Sequence, residues 1–505
     1  MNELKPTSPG ATGDHYRTVA GWEKIRQGYL QYLADESRMA AESIEAIHFP
    51  TNAGEVASAV REATAKGHRV AVSGARTGIA GAAVPMGADE VISLEHLKAR
   101  PVVQRDPDGN WCVQVPAAVT LAELAYALDH GQCDYPDGKP EAELYYPVDS
   151  TEMSAQIGGT ISTNASGART LYYGPTRDWV NWLKVVTADG RILSLRRGQV
   201  SADPDRLVYH YEDGEAVEIA VPDLPLPPTK HNAGYYLKHG MDALDLFIGS
   251  EGTLGIVCAA ELRLAPKPTH RLYLTQFVGD HRDAVRFVHG CKQHPDISPL
   301  ALEYIGPRAL TLLRREGRQT PAYVEVSRLP EDAGAAVYAE IPFETEPELD
   351  AAYAAVDEVL GTCGLSADHS WAGFQRKDLE EMKRLRHAVP ETVNGIIGRR
   401  KREIPDLHKV GTDMAVPDES VAEMLEFYHR TLDEAGLEFV VFGHIGNGHV
   451  HVNMLPSTAG ELTTAKKLYV EFAREAVRLG GSAAAEHGIG RIKRQFMPIQ
   501  FTEDQ

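Results

Sequence analysis

The chain has 505 residues, too many for one ordinary hydrophobic core, so two or three domains are expected. The formal net charge of −20 argues against nucleic-acid binding, because that binding depends on Lys and Arg neutralising phosphates. No apolar run approaches the roughly 20 residues that span a bilayer, and the polar segment Met1–Asp14 lacks the apolar stretch of a signal peptide. A cytoplasmic location is the default expectation.

A helix, a strand and a loop of small residues follow one another near the start of the chain. Thr51 or Asn52 is expected to cap a helix that runs to about Lys66, and Arg69–Val72 reads as a short strand. The loop from Ser73 to Pro85 is almost wholly made of small residues. Its backbone N–H groups could approach a pyrophosphate closely, although glycine-rich turns after strands are also common without a ligand.

Two further stretches repeat this theme. Pro147–Ser150 and Ile157–Gly167 offer small residues, hydroxyls and an amide, and Leu246–Val257 joins two apolar runs through a glycine-rich turn. Each stretch alone could be ordinary turn chemistry. Together the three glycine-rich stretches favour one extended dinucleotide that lies across several loops.

The cysteines do not favour a metal cluster. They are scattered, and none forms a C-x-x-C pair, so neither a zinc ribbon nor a cysteine-ligated iron–sulfur cluster is expected; they are Cys112, Cys133, Cys258, Cys291 and Cys363. Any electrons that this protein handles would therefore pass through an organic cofactor to a separate acceptor.

A histidine-rich hairpin is predicted late in the chain. Phe439–Gly443 reads as a strand, Gly446–Gly448 as its turn and His449–Leu455 as the returning strand. His449, His451 and Asn453 would share one face, because side chains alternate along a strand. With Glu486-His487 further on, two imidazoles and a carboxylate could hold a divalent catalytic metal. The alternative is a hairpin with surface histidines.

These segments, with Gly234-Tyr235 after Lys230, resemble the FAD-dependent oxidoreductases of the vanillyl-alcohol oxidase and p-cresol methylhydroxylase superfamily. The most similar branch contains D-lactate dehydrogenase, D-2-hydroxyglutarate dehydrogenase and the flavin-carrying subunit of glycolate oxidase. The resemblance implies an α+β fold: a two-subdomain FAD-binding domain of the p-cresol methylhydroxylase type over residues 1–268, and a cap domain with an antiparallel sheet and helices over 269–480. Residues 481–505 would return to the FAD domain.

The resemblance also implies where FAD binds, without a covalent bond. The pyrophosphate contacts would be Gly74, Ala75, Arg76, Thr77, Gly78 and Gly81. Contacts to the rest of the cofactor would be Pro147, Asp149, Ser150, Gly158, Gly159, Thr163, Asn164, Gly167, Ala168, Glu251, Gly252, Gly255 and Ile256.

The same resemblance assigns the catalytic residues. His444, His451 and Glu486 match positions that ligate zinc in some members, although such a set also accommodates Fe(II) or Mn(II). His487 matches the base and Asn453 a substrate contact. Arg386 matches the arginine that grips the substrate carboxylate, and Lys409 matches a second cationic contact.

The chain departs from the pattern of its relatives at four places. Relatives usually read Gly-His-x-Gly-Asp-Gly-Asn-x-His, whereas here Asn447 replaces the Asp and His449 replaces the Asn. His449 is thus an alternative metal ligand. Pro390 stands where the hydroxyglutarate enzyme has a substrate-contacting threonine, which makes that substrate less attractive. Relatives also continue past Gln505 with a segment that packs on the FAD domain, so cofactor affinity or assembly is expected to differ.

The sequence therefore predicts a FAD-dependent dehydrogenase of a small D-2-hydroxy acid, with D-lactate the leading substrate and glycolate next. The separate electron acceptor would be a cytochrome, a quinone, an electron-transfer flavoprotein or an iron–sulfur subunit. Peripheral membrane association and a homodimer are compatible with this prediction. The alternatives are a flavin subunit of a glycolate or lactate oxidase complex, and a non-redox transferase like alkyl-dihydroxyacetone phosphate synthase.

Overall fold

A computed structural model describes residues 16–317 and 329–505. The segment Met1–Asp14, which the sequence predicts not to be a signal peptide, lies outside these residues. The first 266 residues supply two larger sheets. The strands are β1 Arg17–Ala20, β2 Ala46–Phe49, β3 Val70–Ser73, β4 Glu90–Ser93, β5 Val102–Arg105, β6 Trp111–Pro116, β7 Leu144–Tyr145, β8 Val180–Val186, β9 Ile192–Arg196, β10 Arg206–His210, β11 Ala216–Ala220, β12 Ile256–Arg263 and β13 Ala265–Pro266. The α-helices are α1 Trp22–Gly28, α2 Ala53–Ala65, α3 Leu121–Asp129, α4 Ile157–Ser162 and α5 Thr170–Tyr173.

The first sheet has the order β1-β2-β4-β3, with β2, β4 and β3 parallel and β1 antiparallel to β2. Helix α2 begins as predicted, because the side chain of Asn52 accepts a hydrogen bond from the Glu55 N–H. Its apolar face, including Val56 and Val60, is buried. Strand β3 then leads directly into the small-residue loop, which this packing holds in place.

A buried carboxylate ties this sheet together. Glu90, only 1% exposed, accepts hydrogen bonds from His48 at 2.6 Å, His68 at 2.7 Å and Lys66 at 3.0 Å. Burial alone raises the pKa of Glu90, but the hydrogen bonds from His68, Lys66 and His48 outweigh it and lower the pKa to about 2. The ionised carboxylate thus links β4 to β2 and to the start of β3.

The second sheet has the antiparallel order β5-β6-β12-β8-β9. Its apolar face packs on α3, on α4 and on the segment around Phe247. The pairs β10-β11 and β7-β13 lie outside this sheet. The Pro-rich segment Val221–Pro228 forms neither helix nor strand.

The second half of the chain forms one seven-stranded sheet in the order β17-β14-β16-β15-β19-β20-β18, in which neighbouring strands run antiparallel. Its strands are β14 His270–Val278, β15 Ala301–Ile305, β16 Ala335–Phe343, β17 Ser370–Gly373, β18 Val410–Gly411, β19 Phe439–Gly443 and β20 His451–Met454. The helices are α6 His281–Gln293, α7 Pro307–Gly317, α8 Glu346–Cys363, α9 Arg376–Arg400, α10 Val421–Glu434, α11 Ala459–Arg478 and α12 Met497–Gln500.

This arrangement confirms the predicted α+β fold with an antiparallel sheet and helices in the second half. The two predicted hairpin strands, Phe439–Gly443 and His449–Leu455, are observed as β19 Phe439–Gly443 and β20 His451–Met454. The domain limits at residues 268 and 480 stay a proposal. No helix in the described ranges is both long enough and apolar enough to cross a membrane.

Candidate active site

One cleft joins the small-residue loops to the histidine hairpin. Its volume is about 340 Å³. The loop after β3, helix α4 and the turn before β12 line it on one side, and the end of β19, the start of β20 and residues 486–487 line it on the other. The cleft is therefore built from parts of the chain that lie far apart in the sequence.

Small residues shape the first side of the cleft because larger ones would not fit. A Cβ on Gly158 would lie 2.7 Å from the Cβ of Ala117, so the start of α4 can pack on the second sheet only with glycine there. Arg76 has a φ of 61°, and its guanidinium turns back to the Gly74 carbonyl at 3.0 Å. A flat cofactor can therefore approach the backbone of this loop closely.

The structure brings most of the predicted cofactor residues to the cleft. Those that line it are Gly74, Ala75, Arg76, Thr77, Gly78, Ser150, Gly158, Gly159, Thr163, Glu251, Gly252, Gly255 and Ile256. Those that do not are Gly81, Pro147, Asp149, Asn164, Gly167 and Ala168. Among the latter, a Cβ on Gly167 would lie 1.5 Å from the Asp149 carbonyl oxygen, so the two segments support each other behind the cleft.

Glu251 has a structural contact that the sequence did not indicate. Its φ is 54°, and its carboxylate accepts the N–H groups of Ile489 and Gly490, both at 2.8 Å. Burial raises the pKa of Glu251. This carboxylate fastens the segment after His487 to the turn before β12.

The predicted hairpin forms, and its histidines converge on Glu486. Their nearer nitrogens lie 3.5 Å (His444 Nε2), 3.7 Å (His449 Nδ1) and 3.9 Å (His451 Nε2) from the same oxygen, Glu486 Oε2. One ligand atom from each of these four residues lies within 4.8 Å of all the others. His449 is fully buried, so the alternative of surface histidines is wrong for this residue.

The other oxygen of Glu486 is held by groups that the sequence did not single out. Lys230 Nζ donates to Glu486 Oε1 at 2.7 Å, and Ser166 Oγ donates to the same oxygen at 2.9 Å. Burial alone raises the pKa of Glu486, but Lys230 and His444 hold it well below its usual range. Glu486 therefore presents an ionised Oε2 to the histidines.

Asp413 is the second buried carboxylate of the site. Its Oδ1 lies 3.2 Å from His487 Nδ1 and accepts the Glu486 N–H at 3.1 Å. Its Oδ2 accepts the His487 N–H at 3.1 Å and a hydrogen bond from Lys493. Burial alone raises the pKa of Asp413, but His487 and Lys493 hold it well below its usual range. Asp413 fixes the Glu486-His487 dipeptide and orients the His487 ring.

The predicted catalytic residues do not all reach the cleft. His487 lines it, and its ring stacks on that of His451 with centroids 5.7 Å apart. Arg386, Asn453 and Lys409 do not line it. Asn453 is 5% exposed and pairs across to β18, and burial lowers the pKa of Lys409.

Arg386 is connected to the histidines through a carboxylate. Its Nε donates to Glu303 at 3.0 Å, and the other oxygen of Glu303 lies 2.6 Å from His444 Nδ1. Burial alone raises the pKa of Glu303, but Arg386 and His444 lower it. Arg386 thus stands behind the histidine cluster.

The donor set fits a divalent metal. Two atoms that are each about 2.1 Å from an ion lie roughly 3.0 Å apart at a right angle and roughly 4.2 Å apart when opposite. The three distances to Glu486 Oε2 fall inside that interval. Both ring nitrogens of His449, Nδ1 and Nε2, are also buried with no hydrogen-bond partner in the described ranges. Burial lowers the pKa of His449 to about 4.

Comparison with known families supports the predicted cofactor. Residues 44–196 match the FAD binding domain, and residues 267–505 match the C-terminal domain of FAD linked oxidases. Together the two matches cover more than three quarters of the chain. The first includes the loop after β3 and α4, and the second includes the histidine hairpin and Glu486.

Curated relatives extend over nearly the whole chain. The D-2-hydroxyglutarate dehydrogenase of Stutzerimonas stutzeri (strain A1501) is 28% identical over 481 residues, which is 92% of this chain and 87% of the relative. The D-lactate dehydrogenase of Archaeoglobus fulgidus is 29% identical over 461 residues, 90% of this chain and 85% of the relative. A solved alkyldihydroxyacetonephosphate synthase superposes with a TM-score of 0.60 at 17% sequence identity, over 90% of this chain and 75% of the synthase chain. This similarity shows a shared fold and nothing more.

Proposed function

Because the chain belongs to the superfamily of FAD-linked oxidases of the p-cresol methylhydroxylase type, we propose that it is a dehydrogenase of small D-2-hydroxy acids. The observation that carries the proposal is the shared cleft. The same cavity is lined by the cofactor loops and by His444, His451, Glu486 and His487. A small molecule held between the two sides would meet a flavin and a proton acceptor together.

His487 is the proposed base. It reaches the cleft while its Nδ1 faces the Asp413 carboxylate at 3.2 Å, so Nε2 is the nitrogen left to take a proton from the substrate hydroxyl. The two backbone N–H groups bonded to Asp413 fix the dipeptide and hence the position of the ring. Asp413 is accordingly a positioning residue.

FAD, when bound, accepts the hydride equivalent from the substrate α-carbon, and a divalent ion, when bound, lowers the pKa of the substrate hydroxyl. We propose that His444, His451 and Glu486 hold that ion, for which zinc is the prediction from the resemblance. Lys230 and Ser166 orient Glu486 so that Oε2 faces the histidines. The substrate leaves as a 2-oxo acid, and the electrons pass to a separate acceptor.

Arg386 is the proposed contact to the substrate carboxylate. Its Nε is bonded to Glu303, and in the described part of the chain its other guanidinium nitrogens have no hydrogen bond. A guanidinium can grip a carboxylate at two points, and such a grip would fix which face of the α-carbon meets the flavin. Asn453 and Lys409 stay proposed substrate contacts whose side chains lie outside the cleft lining.

D-Lactate is the proposed substrate and glycolate the next candidate. The relatives named D-lactate dehydrogenase and D-2-hydroxyglutarate dehydrogenase are about equally similar, and they support the class of acid rather than one member. Pro390, inside α9 four residues after Arg386, supplies no hydroxyl for a second carboxylate. This favours a monocarboxylic acid.

An anaerobic absorbance titration tests the proposal. Purified protein is mixed with D-lactate, L-lactate, glycolate or D-2-hydroxyglutarate, with and without a chelator. Rapid bleaching of the flavin band by one D-acid, abolished by the chelator, is the expected result. A flavin spectrum unchanged by every acid would refute the stand-alone dehydrogenase and favour the flavin subunit or the non-redox transferase.

A further inference from the structure

His449 is placed like a ligand of the proposed metal rather than like a core residue. It is completely buried, and its Nδ1 lies 3.7 Å from Glu486 Oε2, between the distances of the two proposed histidine ligands. Its ring centroid is 4.5 Å from that of His451 and 5.4 Å from that of His444. The three rings surround one oxygen.

Two of the three rings are oriented from behind by a hydrogen-bond acceptor, and the third faces a carboxylate. His444 Nδ1 faces Glu303 at 2.6 Å, and His451 Nδ1 faces the Thr412 carbonyl at 3.1 Å. The remaining nitrogen of His449, Nε2, faces Asp413 Oδ1 at 3.3 Å, although the geometry of this pair does not make a hydrogen bond. Metal-bound histidines usually donate their outer N–H to a carboxylate or a carbonyl, which fixes the tautomer and the ring orientation.

We infer that His449 is a fourth protein ligand, so that three imidazoles and one carboxylate oxygen surround the ion. The inference rests on the proposed function for the presence of an ion at this place. His449 uses Nδ1, whereas His444 and His451 use Nε2. Glu486 contributes only Oε2, because Lys230 and Ser166 already hold Oε1.

Four protein ligands restrict which ion can still coordinate a hydroxy acid substrate. Zinc is usually four-coordinate, and a catalytic zinc site keeps one position open by using only three protein ligands. Three histidines and a glutamate would fill a tetrahedral zinc. An ion that accepts six ligands, such as Mn(II) or Fe(II), keeps two positions for the hydroxyl and carboxylate of the substrate. The inferred set of four protein ligands therefore favours such an ion over zinc.

Measuring metal binding in the absence of substrate tests whether His449 is a ligand of the ion. FAD-loaded protein is stripped with a chelator and titrated with Mn(II), with free Mn(II) followed by EPR and bound imidazole nitrogens counted by pulsed EPR. Wild type should bind one Mn(II) through three imidazoles. His449→Asn, whose amide occupies roughly the place of Nδ1, should leave two imidazoles and weaken binding on the order of 100-fold, since losing an outer partner alone costs about 10- to 100-fold.

His487→Asn is the matched control. His487 contacts the same Asp413 and neighbours the cluster, but its ligand atoms fall in a different group, with Asp413 and Glu486. Its substitution should leave Mn(II) affinity within about threefold and keep three imidazoles. Loss of binding in His487→Asn with retention in His449→Asn would place the ion in the other group and overturn the inference.

Two further results decide the remaining points. If His449→Asn fails to fold, the wild-type protein alone still decides the point. A count of two bound imidazoles in the wild type would refute His449 as a ligand. Elemental analysis of protein purified without added metal should find manganese or iron; one zinc per chain with four protein ligands would refute the choice of ion. If three imidazoles hold Mn(II) but no hydroxy acid reduces the flavin, only the proposed function is refuted.

Discussion

Substituting Asp413 with Asn tests whether the buried carboxylate network holds the active site together. The side chain of Asp413 is 2% exposed and that of its partner Lys493 is 6% exposed, so the pair is withdrawn from water. Asparagine keeps the shape but leaves the lysine charge buried and unpaired. Removing one partner of such a pair costs about 3–5 kcal/mol, and we expect the free energy of unfolding to fall by that amount.

The same substitution should slow flavin reduction. An asparagine amide can turn its NH₂ group toward His487 Nδ1, which then accepts a hydrogen bond and places the ring proton on Nε2, the nitrogen proposed to take the substrate proton. Losing a correctly oriented base costs about 10²- to 10⁴-fold in rate. We expect a decrease in that range in the anaerobic reduction rate with D-lactate, measured by stopped flow at saturating substrate.

Asp418→Asn is the matched control for stability. Asp418 also pairs with a lysine, Lys292, but its side chain is 46% exposed, and exposed pairs contribute about 0–1 kcal/mol. Both variants are unfolded in urea and followed by circular dichroism, with FAD content measured beforehand. A loss below about 1 kcal/mol for Asp413→Asn, equal to that of the control, would refute the structural reasoning; an unchanged reduction rate would refute the role of Asp413 in positioning the base.

Three further predictions concern the cofactor domain and the metal. Because the folded pKa of Glu90 is lowered to about 2 from 4.5, its ionised form contributes stability above about pH 4.5 that is lost as the pH falls toward 2. Glu90→Gln should therefore lower the free energy of unfolding by about 3 kcal/mol at pH 7, with a gap that narrows below pH 4.5; a gap independent of pH would contradict this. Gly167→Ala should reduce bound FAD per chain and the melting temperature, because the new Cβ would lie 1.5 Å from the Asp149 carbonyl oxygen; normal FAD content would show that the backbone adapts. Glu303→Gln should weaken metal binding about 10- to 100-fold in a chelator competition, because it removes the anion behind His444; unchanged affinity would mean that Glu303 serves only Arg386.

The local elements could be predicted because their signals lie within a few residues of each other. Asn52 caps α2, and the run from Phe439 to Asn453 forms a hairpin with His444 at the end of its first strand. The prediction of the returning strand was too long at its start. β20 begins at His451, because His449 N–H bonds back to the His444 carbonyl in a tight turn.

The network behind the histidines could not be predicted in this way. Glu303 lies 141 residues from His444, Lys230 lies 256 from Glu486, and Asp413 lies 80 from Lys493. None of these pairs forms a sequence motif. A buried carboxylate on the apolar strand β15 was the one local signal, since a Glu there must find a partner. Arg386 was singled out without its partner Glu303, so its place behind the cluster was missed.

The Glu251 contact has a consequence for how the protein is made. Glu251 binds the N–H groups of Ile489 and Gly490 across 238 and 239 residues, and Asn232 binds the Glu486 carbonyl across 254. Contacts so distant in sequence form late, since a long loop must close before they contribute. While a ribosome is still adding residues 484–493, the nascent chain lacks the proposed base His487 and the proposed metal ligand Glu486. The proposed site can therefore be completed only after the segment that carries Ile489 and Gly490 has folded back onto Glu251.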